Sequence, residues 1–167
     1  MAEAYLLLGS NLGDREQFLL SARHAIFSRI GTVLAASALY ETAAWGKTDQ
    51  SAFLNQVLLV QTGLHPSRLL AEIHGIERDL GRERKEKWAA RVVDIDILFY
   101  GNQILSLPDL TIPHPELHRR RFTLVPLAEL DPALLHPVLG LTVLKLLERC
   151  PDSLEVVVFK GGAADVT

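Results

Sequence analysis

The chain has 167 residues, 49% hydrophobic and 22% charged, which fits one domain with a sizeable core and excludes disordered and fibrous chains. A net charge of −3 argues against a basic nucleic-acid-binding domain, and the single cysteine, Cys150, excludes an internal disulfide and any site built from several thiolates. The opening residues carry no basic segment and their apolar run is too short for a signal peptide or membrane span, so a cytoplasmic protein with no membrane and no nucleic-acid partner is expected.

Residues 5–8 predict a short buried strand, ended by Gly9-Ser10-Asn11. Asp14 is placed to cap a helix with apolar positions Phe18, Ala22, Ala25, Ile26 and Ile30, and Gly31 stops it. A second strand is expected over 32–40, an irregular segment over 41–50 and a third strand over 53–61. Pro66 opens a helix with the stripe Leu69, Ile73, Ile76 and Leu80, closed by Gly81. A cationic loop and a strand bearing Asp94 and Asp96 follow. The order β-α-β-β-α-β predicts a ferredoxin-like α/β (α+β) fold, an antiparallel sheet with two helices on one face and the other face free to bind. Beyond it, Tyr100-Gly101-Asn102 predicts a hairpin turn, and 108–115 is proline-rich. Residues 122–130 and 141–150 carry helical patterns, 154–159 an edge strand and the tail after Lys160 a frayed end, a C-terminal extension within one domain spanning 1–167.

The densest chemical signal is the passage from Arg82 to Phe99. Five cationic and two acidic side chains lie between Arg82 and Arg91, a local excess that suits a discrete anionic ligand. In an extended strand residues two apart share a face at about 6.6 Å spacing, so Asp94 and Asp96 look one way and Val93, Ile95 and Ile97 the other. Two carboxylates about 4 Å apart repel by roughly 4 kcal/mol at an effective dielectric near 20. A divalent cation relieves that repulsion, and Mg²⁺ takes one or two protein carboxylates and completes its shell with water and phosphate. A solvated charged loop beside a polar strand face is the alternative; the poor fit of Asp to strands and the adjacent arginines favour the site.

Gly9 to Asp14 joins a strand to a helix but lacks the spacing and lysine of a P-loop, which favours a structural turn. His114, between Pro113 and Pro115, sits on a stiffened backbone just before Arg119, Arg120 and Arg121, a second polar concentration. His74 and Glu77 share one helix face, read as a partly exposed surface rather than a metal pair. Asn55, inside an apolar strand, either satisfies a local turn or reads a flat heterocycle through paired donor and acceptor; Phe53 and Phe122 either fill the core or sandwich such a ring.

On these residues the chain resembles the 6-hydroxymethyl-7,8-dihydropterin pyrophosphokinases of folate biosynthesis (2-amino-4-hydroxy-6-hydroxymethyldihydropteridine diphosphokinases). The resemblance rests on the run from Tyr5 to Gly13, on Tyr40-Glu41-Thr42 and Phe53-Leu54-Asn55, and on Gly81-Arg82 leading to Arg91 and Asp94-Ile95-Asp96-Ile97. Ile112-Pro113-His114-Pro115, Arg120-Arg121-Phe122 and Val125-Pro126-Leu127 complete it. It implies a monomeric ferredoxin-like transferase that moves the terminal pyrophosphoryl group of ATP onto the pterin hydroxymethyl oxygen, releases AMP and uses two Mg²⁺ ions.

The same resemblance implies that Asp94 and Asp96 hold both metals and that Arg82 and Arg91 bind the phosphates in the transition state. It places Arg84 and Trp88 on a loop over the nucleotide, His114 and Arg120 on the phosphates, and His74, Glu77, Ile97 and Thr111 near ribose and adenine. For the pterin it implies stacking by Phe53 and Phe122, edge recognition by Asn55, backbone contacts near Thr42 and Trp45, and proximity to Asp94. The chain departs from the family pattern with Ala43-Ala44 where two prolines are common, Ala89-Ala90 in place of Gly-Pro, and His74 where a glutamine is frequent. A nucleotidyltransferase would use the same acids but release pyrophosphate, and an RNA-binding ferredoxin-like domain would need stacking aromatics in a pattern this chain lacks.

Overall fold

The computed structural model describes residues 1–43, 52–82 and 92–161, with Arg82 described by its backbone alone. Strand β1 (Ala2–Ser10) sends Ala4, Leu6 and Leu8 into one apolar cluster and Tyr5 and Leu7 into another, so it is buried on both faces. That is why it reads as an unbroken apolar run rather than an alternation. Helix α1 (Arg15–Arg29) starts at Asp14, whose carboxylate accepts the Gln17 N–H at 3.2 Å, and it buries Leu19, Ala22 and Ile26.

Strands β2 (Gly31–Ala36) and β3 (Tyr40–Thr42) both lie along the same side of β4 (Phe53–Thr62). The single strand expected over 32–40 is interrupted at Ser37. Its hydroxyl accepts the Val57 N–H at 3.0 Å, its own N–H donates to the Val57 carbonyl at 2.9 Å, and Gln56 Nε2 donates to its carbonyl at 2.8 Å. A side-chain oxygen replaces a ladder acceptor there, which lets the chain step from β2 to β3.

Helix α2 (Pro66–Arg82) buries the predicted stripe Leu69, Ile73, Ile76 and Leu80. Strand β5 (Asp94–Tyr100) pairs with β1 on the side away from β4, and every pairing in the sheet is antiparallel. The order is β5-β1-β4, with β2 and β3 both on β4, and α1 and α2 pack on one face, the ferredoxin-like arrangement expected.

The opposite face departs from expectation because it is not free along its length. Helices α3 (Arg121–Leu130) and α4 (Val143–Glu148) set Leu124, Leu127, Val143 and Leu146 on Tyr5, Leu7, Val57 and Phe99. A register shift between Tyr5 and Leu6 lets Leu98 and Phe99, neighbours in sequence, both enter this cluster. Each such side chain contributes about 1.5–3 kcal/mol on burial, enough to fold the C-terminal segment back onto the sheet. Tyr40 donates its hydroxyl to Glu129 at 2.5 Å, and lost hydration together with that carboxylate pushes the phenol up to about 12.

The turn at Tyr100-Gly101-Asn102 forms, with Gly101 at φ +54, but it does not return the chain along β5. Strand β6 (Leu105–Leu107) pairs instead with β7 (Leu110–Ile112). Strand β8 (Val156–Val158) pairs with β3 as the expected edge strand, and α4 is shorter than 141–150 because Thr142 caps it, accepting the Lys145 N–H at 3.2 Å. Residues 162–167, in the tail expected to fray, lie outside the described residues. Among the described residues no helix is long and apolar enough to cross a membrane.

His136 supports the second cluster, 5% exposed, its Nδ1 accepting the N–H groups of Val138 at 3.2 Å and Leu139 at 3.0 Å and its ring edge-on to Phe99. Burial, with a smaller effect of His118, lowers its pKa from 6.5. The unfolded chain therefore binds the proton first, and His136's contribution to stability is lost as pH falls below about 6.5. The urea midpoint is expected to drop between pH 7 and pH 5.5, with a smaller drop in His136→Asn, which keeps an acceptor near the Nδ1 position. Equal drops in both proteins contradict the assignment.

Candidate functional site

The uncovered end of the second face carries Gly9 of β1, Asn55 of β4 and Asp94 and Asp96 of β5, strands that the ladders place side by side. Gly9 pairs with both Asn55 and Asp94. A Cβ on Gly9 would lie 2.6 Å from Asn55 Oδ1, so the absence of a side chain there lets the Asn55 amide lie across β1. Asp94 and Asp96 project away from Ile95 and Ile97, which join the helix-side cluster, as strand alternation requires.

Two cavities, each of about 510 Å³, meet at these aspartates. The first is walled by Thr42, Phe53, Asn55 and Phe122, with Arg120 at 5.7 Å from the Phe122 ring centroid. Thr42 is 3% exposed and its Oγ1 has no hydrogen-bond partner among the described residues, a buried acceptor and donor left for another group. The second cavity is lined by His74, Glu77, Ile97, Thr111 and His114. The described residues singled out from the sequence thus divide into two groups that share only Asp94 and Asp96.

His114 lies with Nε2 4.0 Å from Asp96 Oδ2, and its Nδ1 accepts the Glu116 N–H at 3.1 Å. That bond assigns the proton of the neutral ring to Nε2. Burial lowers the His114 pKa from 6.5, opposed by the Asp96 charge and reinforced by Arg120. At neutral pH the ring is therefore an uncharged donor pointing toward the aspartates.

Glu77 corrects the reading of its helix face as partly exposed. It is 7% exposed, and its Oε2 accepts the Ile95 N–H at 2.9 Å, so α2 holds the outer edge of β5 between the two aspartates. His74, one turn away, is exposed. Arg120 lines the first cavity rather than the second. Trp45, Arg84, Trp88 and Arg91 lie outside the described residues, as does the side chain of Arg82.

Gly9, Glu116, Arg119 and Asp152 also line the first cavity and were not singled out as site residues. Arg119 stood in the arginine group after His114, whereas Gly9, expected to end its strand, continues β1 to Ser10 and there permits close approach of another group. Asp152 carried no signal, because its place depends on the C-terminal segment folding back, where its Oδ2 accepts the Arg121 N–H at 3.1 Å.

The donor set at Asp94 and Asp96 fits a hard divalent cation. It is all oxygen, Asp96 keeps 41% of its side chain exposed, and among the described residues no third His, Cys, Asp or Glu gathers to form a closed site. Such an open pair suits Mg²⁺ better than Zn²⁺.

The family model described as 7,8-dihydro-6-hydroxymethylpterin-pyrophosphokinase (HPPK) matches residues 5–132. A 2-amino-4-hydroxy-6-hydroxymethyldihydropteridine pyrophosphokinase of Methylorubrum extorquens is 42% identical over 154 residues, 92% of this chain and 96% of that protein. Its counterpart in Aquifex aeolicus is 41% identical over 140 residues, 83% of this chain and 86% of that protein. The folic acid synthesis protein fol1 of Pneumocystis carinii is 43% identical over 148 residues, 89% of this chain but 20% of that protein. Among solved structures, a Plasmodium falciparum HPPK-DHPS superimposes with a TM-score of 0.75 at 20% identity, covering 89% of this chain and 43% of that one, a likeness of fold. The extent of the family match and the relatives matched almost end to end establish that this chain belongs to the 7,8-dihydro-6-hydroxymethylpterin-pyrophosphokinase family.

Proposed function

We propose that this protein transfers the terminal pyrophosphoryl group of ATP to the hydroxymethyl oxygen of 6-hydroxymethyl-7,8-dihydropterin, a step of folate biosynthesis, and acts as a monomeric cytoplasmic enzyme whose single domain spans 1–167. The observation that carries this reading is the meeting of two separate cavities at one pair of carboxylates. A reaction between two bound molecules needs such a junction, and holding both in place supplies much of the rate enhancement.

The first cavity takes the pterin. Phe53 and Phe122 offer aromatic faces, Asn55 a donor and acceptor pair, and Thr42 Oγ1 a buried partner for the ring edge. The second cavity takes ATP, with Thr111, Ile97 and His74 toward the nucleoside and His114 Nε2–H donating to phosphate oxygen. Glu77 acts from below, through its bond to β5. Arg82 and Arg91 bind the phosphates, Arg84 and Trp88 serve the nucleotide, and Arg120 approaches the phosphates from the pterin side.

Asp94 and Asp96 would hold the two Mg²⁺ ions, which would supply charge neutralisation for the phosphates and lower the pKa of the pterin hydroxyl. The hydroxymethyl oxygen forms a bond to the β-phosphorus as the bond to the α,β-bridging oxygen breaks and AMP leaves. Positioning and charge carry the step, so neither a covalent intermediate nor a side-chain nucleophile is required.

The test is to supply ATP, Mg²⁺ and the reduced hydroxymethylpterin and to follow AMP with and without pterin. Pterin-dependent AMP is expected. Pterin-dependent pyrophosphate instead would assign a nucleotidyl transfer and overturn the reading.

A further inference from the structure

Arg15, the first residue of α1, lines neither cavity, yet it ties together the wall of the first. Its Nη1 donates to Glu41 Oε2 at 2.7 Å and to the Ala52 carbonyl at 2.8 Å, and its Cζ lies 5.4 Å from the centroid of the Phe159 ring. Glu41 immediately precedes Thr42, and Ala52 immediately precedes Phe53. Thr42 and Phe53 are partners in the β3–β4 ladder, and both line the first cavity. One guanidinium therefore bridges the ends of two strands at the residues adjoining the cavity wall.

We propose that Arg15 is a positioning residue that fixes Thr42 against Phe53, and with it the placement of the ring-edge partner relative to one stacking face. This rests on the assignment of the first cavity to the pterin. Strand β3 is only 3 residues long, and although β8 pairs with its other side, its ladder with β4 ends at Thr42 and Phe53, where a ladder frays first. Arg15 is suited to the task because its side chain is 20% exposed, which limits screening, and because one nitrogen reaches a carboxylate on one strand and a carbonyl on the other. Phe159 covers the guanidinium from the C-terminal side, and its own N–H donates to the Leu39 carbonyl at 2.8 Å, so the segment after β8 seals the clamp.

Arg15→Met keeps an unbranched apolar stem and removes the donors. In that variant the KM for hydroxymethylpterin is expected to rise about tenfold, while kcat and the KM for ATP stay within about twofold, the pattern of lost ground-state and transition-state binding of one substrate. Arg15→Lys is expected to recover part of the loss, and Glu41→Gln to lose less than Arg15→Met because the Ala52 carbonyl keeps its donor. Amide hydrogen exchange at Thr42 and Phe53 is expected to accelerate in Arg15→Met, with α2 and β5 amides unchanged. Unchanged exchange at Thr42 and Phe53 overturns the clamp, as does faster exchange with an unchanged pterin KM, or a parallel change in kcat and both KM values. If the parent protein releases no AMP with pterin, the functional reading fails by itself, and the exchange measurement still decides whether Arg15 holds the two strands.

Discussion

Asp96→Ala is expected to lower turnover at saturating ATP and Mg²⁺ by about a thousandfold or more, with a melting temperature within a few degrees of the parent. The two halves of that expectation come from opposite sides of one strand. Ile95 and Ile97 lock β5 into the helix-side core, whereas Asp96 faces the junction of the cavities with 41% of its side chain exposed. Truncating it removes no core contact, and losses at such exposed positions are usually within about 0.5 kcal/mol. A thousandfold loss corresponds to about 4 kcal/mol of transition-state stabilisation, within reach of one carboxylate that holds a metal among phosphates. Steady-state kinetics with thermal melts of parent and variant check both halves. Near-parental turnover defeats the metal assignment, and collapse of the fold defeats the placement of Asp96 on the open face.

Gly9→Ala is expected to raise the KM for hydroxymethylpterin by roughly 30-fold or more, a loss of about 2 kcal/mol, while the protein stays folded. The new methyl would sit 2.6 Å from Asn55 Oδ1, closer than any real contact, with the next neighbours at 3.7 and 3.9 Å. The Asn55 amide is the part that yields, because it is the end of a side chain, whereas the β1–β4 ladder on either side is continuous. Rotating it away from β1 spoils the donor and acceptor pair offered to the ring, and buried polar groups left unpaired are costly. Titrating pterin against Gly9→Ala and Asn55→Ala checks the route. The two variants are expected to be similar, and a parental KM in Gly9→Ala contradicts the role given to Asn55.

Those two sites differ in how far they were legible in the chain. Asp94 and Asp96 were legible because strand alternation is local, and one reading of the run from Val92 to Ile97 fixes which face each side chain takes. The stripe of α2 and the Asp14 cap were legible for the same reason. Gly9 was not, because its meaning lies in which residue of β4 stands opposite, and register is a property of two segments. Glu77 misled in a related way. Its helical spacing from His74 was right, but its burial comes from the Ile95 N–H, a partner 18 residues away.

The covered half of the second sheet face was missed although both partners could be read separately. Helical patterns stood at 122–130 and 141–150, and Leu98 was apolar on the side of Asp94 and Asp96, where Tyr5, Leu7 and Val57 also lie. Apolar side chains on both faces of a central strand require cover on both, and the covering helices leave open only the end where Asn55, Asp94 and Asp96 stand. The break of β2 at Ser37 rests on a hydroxyl bonded 20 residues away, which no local pattern encodes.

In the proposed reaction a pyrophosphoryl group crosses intact from one cavity to the other at the aspartate pair. The most direct measurement is ³¹P NMR of the pterin product from a quenched reaction, with the nucleotide product quantified alongside. A pterin diphosphate with two coupled phosphorus signals and an equimolar amount of AMP is the predicted result. A pterin monophosphate with ADP, or an adenylylated pterin with pyrophosphate, would contradict it.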